Sequence, residues 1–206
     1  MNIESYVNSG TIGSLHPVLI SWIKTINDYM DYFDIPDSPW WYNERATLSL
    51  FAAAVWKAKG IALEEYATIK GKKNDSWAGR CDLFIGLPSY QFACEAKQAW
   101  CPIGRTAQKG TENARKGLID ACKDARKLEK TEGRRLGICF AVPYLPKRDS
   151  EILEEQLENW LKYIRGLECS SIAWTFPQKT RRKIVTEEGY YFPGVVAIIK
   201  EIFRQV

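Results

Sequence analysis

The sequence predicts a mixed α/β domain in which a central mixed sheet carries helices on both faces. Three observations predict it. Apolar residues recur at helical spacing over 17–33 and again over 152–164; short apolar segments bounded by turn residues occupy 80–85, 90–97 and 136–142; and the two kinds of segment alternate along the chain. With 206 residues, 46% of them hydrophobic and 26% charged, the chain suits a single domain, 1–206, able to bury its own core.

Taken in order, Val18, Leu19, Trp22, Ile23, Ile26, Met30 and Phe33 share one face behind Pro17, which predicts an amphipathic helix over 17–33. Asp34-Ile35-Pro36-Asp37-Ser38-Pro39 is a connector. Ser38 is suited to cap a second helix, with Pro39 in its first turn, that runs to about Lys59 and stops at Gly60. Residues 61–70 read as a strand, although Leu63-Glu64-Glu65 would also continue a helix. The segments 80–85 and 90–97, joined by Gly86-Leu87-Pro88-Ser89, read as a hairpin. A helix is expected over 111–130, ending near Gly133, and a buried strand over 136–142. Ser150 is suited to cap a helix whose Ile152, Leu153, Gln156, Leu157, Trp160, Leu161 and Ile164 share a face. Strands at 172–176, 183–186 and 194–199 complete the chain.

The rare residues exclude whole classes of chemistry. One histidine, His16, is too few for a His-Cys zinc cluster, a catalytic histidine pair or a zincin helix. Any metal would therefore be held mostly by oxygen, which points to Mg²⁺ or Mn²⁺. No two of the six cysteines form a C-x-x-C, and Cys81, Cys94, Cys122 and Cys139 lie in apolar segments, as small buried residues do in a reducing compartment. There is no basic-then-apolar leader and no apolar run near the ~18 residues of a membrane span, so the expectation is a soluble cytoplasmic protein without membrane contact. The net charge of +4 divides into −4 over residues 1–40 and +8 over the rest. Basic residues concentrate at 105–135, with ten against five acidic, and at Lys179-Thr180-Arg181-Arg182-Lys183.

The residues that carry chemistry are Asp82 and the run Glu95-Ala96-Lys97. Alternation along a strand puts Glu95 and Lys97 on one face. If Gly86 and Ser89 flank the turn, Asp82 falls opposite Ala93 and shares that face, with Glu95 its diagonal neighbour roughly 7–8 Å away. Two carboxylates and an ammonium then converge on an otherwise apolar hairpin, where a divalent ion would relieve the repulsion and a lysine could handle a water. The competing explanation is a surface hairpin face with a Lys–Glu pair. On the second helix, Glu44 heads an apolar stripe of Leu48, Phe51 and Val55; either it has a partner, or it simply sits where the helix dipole favours a carboxylate.

The pattern of Asp82, twelve intervening residues and Glu95-Ala96-Lys97 resembles the D…(D/E)-x-K core of the PD-(D/E)XK nucleases, which have the restriction-endonuclease-like fold. The order of elements over about 39–142 is similar to that family's αβββαβ core, with 1–38 a helical addition and 150–206 an α-βββ addition. The resemblance implies Mg²⁺- or Mn²⁺-dependent phosphodiester hydrolysis by an endonuclease or exonuclease, in settings such as restriction, phage defence or repair. It implies that Asp82, Glu95 and the Ala96 carbonyl bind the metal, that Lys97 orients or activates water and stabilises charge, and that Glu44 supports a metal. Gln98 and Gln108 are auxiliary candidates. Cys81 stands where the family often has proline.

For the substrate, Arg105, Lys109, Arg115 and Lys116 follow the proposed active strand, Lys70, Lys72 and Lys73 precede the hairpin, and Arg181 and Arg182 lie in the late basic loop. These residues are candidates for phosphate contact. The bland alternatives are a solvated helix face, since Glu112, Asp120, Asp124 and Glu129 interleave, and a loop that blunts a hairpin turn. Trp40-Trp41-Tyr42 beside Glu44 could stack a base. The expected partner is nucleic acid, DNA ahead of RNA, with a homodimer suited to double-strand cutting. The rival expectations are an RNase or toxin domain on the same fold, and a catalytically silent module that binds nucleic acid or protein.

Overall fold

The computed structural model describes residues 3–32, 37–72, 75–104, 107–128, 133–178, 181, 186–187 and 189–203. In chain order the elements are β1 (Ser5–Asn8), α1 (His16–Tyr32), α2 (Pro39–Tyr42), α3 (Glu44–Lys57), β2 (Ile61–Lys72), β3 (Asp75–Leu87), β4 (Tyr90–Pro102), α4 (Ala107–Ala125), β5 (Arg134–Pro146), α5 (Leu153–Arg165), β6 (Ser171–Thr175), β7 (Tyr190–Tyr191) and β8 (Val195–Ile202).

The fold is mixed α/β, with a central, mostly antiparallel sheet flanked by helices. Its strands run in the order β1-β6-β8-β5-β4-β3-β2, and β7 pairs with the far end of β5. Along that order every neighbouring pair is antiparallel except β4 and β5. A parallel pair needs a crossover, and α4 supplies it.

Each face of the sheet has its own core. On one, α1 and α3 pack Trp22 and Phe51 against Phe140 of β5, with ring centroids about 6 Å apart (Trp22–Phe51 6.0, Trp22–Phe140 6.2, Phe51–Phe140 5.9 Å). On the other, Leu118 of α4 and Leu157, Trp160 and Leu161 of α5 cover Ala99, Cys139, Ala141, Val196 and Ile198. All six cysteines are free and five are buried. No helix among the described residues is long and apolar enough to cross a membrane.

Several expected boundaries move. The single helix expected from Pro39 to Lys59 is two, broken at Asn43, whose extended backbone (φ −172°, ψ 178°) lets its side chain accept the Ala46 N–H at 2.9 Å. Ser38 makes no side-chain cap. Asn43 wins because it stands directly before the uninterrupted apolar stripe, and Glu44 becomes the first residue of α3. The helix expected at 111–130 spans Ala107–Ala125, and that expected from Ser150 begins at Leu153 after a 3-10 turn over Lys147–Ile152. The strand expected at 183–186 falls mostly outside the described residues; β7 and β1 are strands too short to leave a sequence signal.

The hairpin register also differs. Leu87 pairs with Tyr90 and Leu83 with Cys94, so the turn is only Pro88-Ser89 and the pairing is displaced by two residues from expectation. A displacement of two keeps every side chain on its expected face, whereas a displacement of one would have reversed them all.

Glycines set how closely α4 packs on the sheet, among them Gly137 on β5. Gly137 of β5 lies beside Glu95 in register, and a Cβ there would sit 2.7 Å from the Cys122 backbone N and Sγ on α4. Gly137→Val is therefore expected to lower stability by about 1–3 kcal/mol, seen as a reduced urea midpoint at unchanged m-value.

Candidate functional site

The site forms where β3 and β4 part. Their ladder ends at Leu83 and Cys94; beyond it β3 stays with β2, whereas β4 stays with β5 out to Pro102. In an extended strand a residue's N–H and C=O point to the same side, so beyond the last paired residue, Cys94, the backbone groups of Ala96 and Gln98 face the resulting fork without a β3 partner.

Side chains take the place of the missing strand. The Cys81 thiol lies 3.3 Å from the Cys94 carbonyl oxygen, to which it donates. The Ala96 N–H donates to Asp82 Oδ2 at 2.7 Å, and the Gln98 N–H donates to Glu44 Oε2 at 2.9 Å. The Ala96 carbonyl, on the same side as its N–H, faces the fork as well. Gln98 is fixed in turn by α2 and α3: its Oε1 accepts from Thr47 Oγ1 at 2.8 Å and its Nε2 donates to the Trp40 carbonyl at 3.1 Å.

Two further residues complete the charged cluster. Lys70 of β2 places Nζ 2.7 Å from Glu95 Oε1, and Lys97 places Nζ 3.0 Å from Asp124 Oδ2 of α4. Asp124 also meets Lys127 at 2.7 Å. The Lys70 ammonium meets Glu95 Oε1 at an oblique angle: that oxygen is buried and has no well-directed donor among the described residues. The sequence offers Lys70 only as a phosphate contact beside Lys72 and Lys73, and Asp124 only as an acid interleaved on a solvated helix face; neither is expected in the cluster. Lys70 sits next to Gly71-Lys72-Lys73, a stretch that reads as a loop, and Asp124 is one acid among several on a basic helix.

The protonation equilibria follow from this crowding. Burial, with Asp82 and Asp124 nearby, raises the Glu95 carboxyl to about 7 despite Lys70. Burial also raises Glu44, against the opposing effects of the Gln98 N–H and of Lys97. Burial works against charge on Lys97 as well, but Asp124, Glu44 and Asp82 outweigh it and lift its pKa above the ordinary lysine value. Lys97 is therefore held as an ammonium, suited to stabilising negative charge and poorly suited to accepting a proton.

The donor set suits a hard divalent cation in chemistry. Glu44, Asp82, Glu95 and Asp124 offer four carboxylates against the ammoniums of Lys70, Lys97 and Lys127, a net negative charge that a divalent ion would offset. The cage is not closed: among the described residues no three His, Cys, Asp or Glu side chains lie close enough together to hold an ion.

The other sequence candidates scatter. Gln108, Lys109, Arg115 and Lys116 are exposed on α4. Arg181 is buried, and its guanidinium donates to the Phe176 carbonyl and to Glu154 Oε2 at 2.6 Å, so it braces the chain and does not face solvent. Lys73, Arg105 and Arg182 lie outside the described residues, as does the Lys72 side chain. Trp40 is buried and Tyr42 is exposed beside Glu44.

In comparison with known proteins, the chain matches no family model, no curated protein and no solved structure.

A raised carboxylate pKa stabilises the fold most at low pH, below the unfolded value near 4.5, and that contribution is lost as pH rises through about 7. Glu95→Gln is expected to flatten the fall in unfolding free energy between about pH 5 and pH 7.5, measured by urea titration across that range.

Proposed function

We propose that the protein is a metal-dependent nuclease that hydrolyses phosphodiester bonds at the β3–β4 fork, with DNA as the first substrate to test. The observation that carries this reading is the fork itself, which gathers Asp82, Glu95 and Lys97 from one hairpin with Glu44 from the preceding helix. The order α3-β2-β3-β4-α4-β5 also agrees with the αβββαβ core that the PD-(D/E)XK resemblance implies.

In this reading Asp82, Glu95 and the Ala96 carbonyl hold Mg²⁺ or Mn²⁺, with Glu44 in support. The ion, when bound, supplies Lewis acidity and a more acidic water. Lys97, kept charged by its acidic neighbours, stabilises negative charge on the reacting phosphate. Asp82 and Glu44 are oriented by the Ala96 and Gln98 N–H groups, so the backbone supports two of the four carboxylates.

A second reading has its own observation. Glu95 and Lys97 each already have an internal partner of opposite charge, as expected of a silent module that binds nucleic acid without cutting it. Plasmid DNA and tRNA incubated in parallel with Mg²⁺ or Mn²⁺ separate these cases. Cleavage is expected to require the metal and to fall about a hundredfold or more in Asp82→Asn and in Lys97→Ala, with circular dichroism unchanged. Asp82→Asn keeps an oxygen for the Ala96 N–H and so tests charge with little change in shape. Cleavage unaffected in both variants rejects the assignment, and salt-sensitive binding without cleavage favours the silent module.

A further inference from the structure

The Lys70–Glu95 contact has three features that a plain structural ion pair does not need. First, both side chains are largely removed from water, at 15% and 3% exposure, yet Glu95 Oε1 lacks a well-directed donor. The ammonium offsets charge there without satisfying the oxygen's lone pairs. Second, the route of Lys70 to Glu95 crosses β3 at Gly79: a Cβ on that glycine would come within 3.0 Å of Lys70 Cδ and 3.2 Å of its Cγ. Third, the backbone of the β2 end is clasped to the end of α4, through the Gly71 N–H to the Lys127 carbonyl at 2.8 Å and a bridge between Lys70 and Leu128. The main chain at Lys70 is thereby held in place, and only its four-carbon stem reaches across to Glu95.

We propose that Lys70 is a built-in counter-cation for Glu95, which an incoming divalent cation must displace, so that metal loading of the fork is set by a competition inside the protein. This rests on the reading of the fork as a metal site. The reason is the charge balance already described. With Lys70 on Glu95 the metal-free fold escapes an uncompensated buried carboxylate, and any metal that takes that oxygen must overcome the ammonium first. Gly79 is the residue that keeps the path for the stem open.

The test is Mn²⁺ binding, followed by the paramagnetic resonance signal of free Mn²⁺, to the full chain and four variants. Lys70→Met is expected to bind Mn²⁺ about tenfold more tightly, the order of effect for removing one unit charge at close range. Gly79→Val keeps the charge count but blocks the stem, and is expected to tighten binding at least about threefold. Lys123→Met removes an equal charge from the exposed face of α4, where Lys123 pairs with Asp120 outside the cluster, and should change affinity by less than about twofold. Thermal melting gives the second readout: Lys70→Met should gain more from Mn²⁺ relative to EDTA than the parent does. Equal affinity in the parent and Lys70→Met, an equal gain in Lys123→Met, or no gain in Gly79→Val overturns the competition while the metal site stands. No Mn²⁺ binding to any variant, or binding undiminished by Asp82→Asn, overturns the metal reading and the competition together.

Discussion

The structure depends on how β4 is paired after β3 leaves it. A strand inside a sheet cannot leave its N–H and C=O groups without partners. Here the Ala96 and Gln98 N–H groups are met by the carboxylates of Asp82 and Glu44, drawn from β3 and α3. An ordinary ladder would have used neutral carbonyls at the same places. Charged acceptors make stronger hydrogen bonds, but they bring two negative charges into the sheet, and the surrounding ammoniums are arranged about that fact.

That arrangement draws on three separate parts of the chain. Lys97 comes from β4 itself, Lys70 from near the end of β2, and Asp124 from α4, the crossover that the parallel pair β4 and β5 needs. Gly137 permits the close approach of α4 to β5, and Gly79 permits Lys70 to cross β3. Two residues without side chains thus govern where two charged side chains arrive. The clasp between Gly71 and Lys127 ties β2 to α4, so the ion pairs on Glu95 and Lys97 are held by one connected support.

Much of the fold was legible in local patterns. The apolar stripes of α1, α3 and α5 and the short apolar strands β4, β5, β6 and β8 emerged close to their positions, because each buries one continuous face. Asp82, Glu95 and Lys97 were legible for a related reason: charged residues in apolar strands stand out, and strand parity survives a register displacement of two. The break at Asn43 was missed because Pro39 and Ser38 gave a plausible start one turn too early. The roles of Lys70, which the sequence offers only as a phosphate contact, and of Asp124 were missed because nothing local separates a lysine before a glycine, or an aspartate on a charged helix, from solvated neighbours. Arg181 was misread for the same reason, since only the packed chain shows its guanidinium turned inward.

The sequence by itself determined the alternation of helices and strands, the faces they bury, and the strand face on which Asp82, Glu95 and Lys97 stand. These follow from the periods of 3.6 and 2 and from the cost of burying charge, which act within a few residues. Only the tertiary structure decided that β3 and β4 diverge after Leu83 and Cys94, that Glu44 answers Gln98 across 54 residues, and that Lys70 and Asp124 supply the opposing charges. Those contacts join segments far apart in the chain, and their positions are fixed by sheet order and helix packing, which no single stretch of sequence encodes.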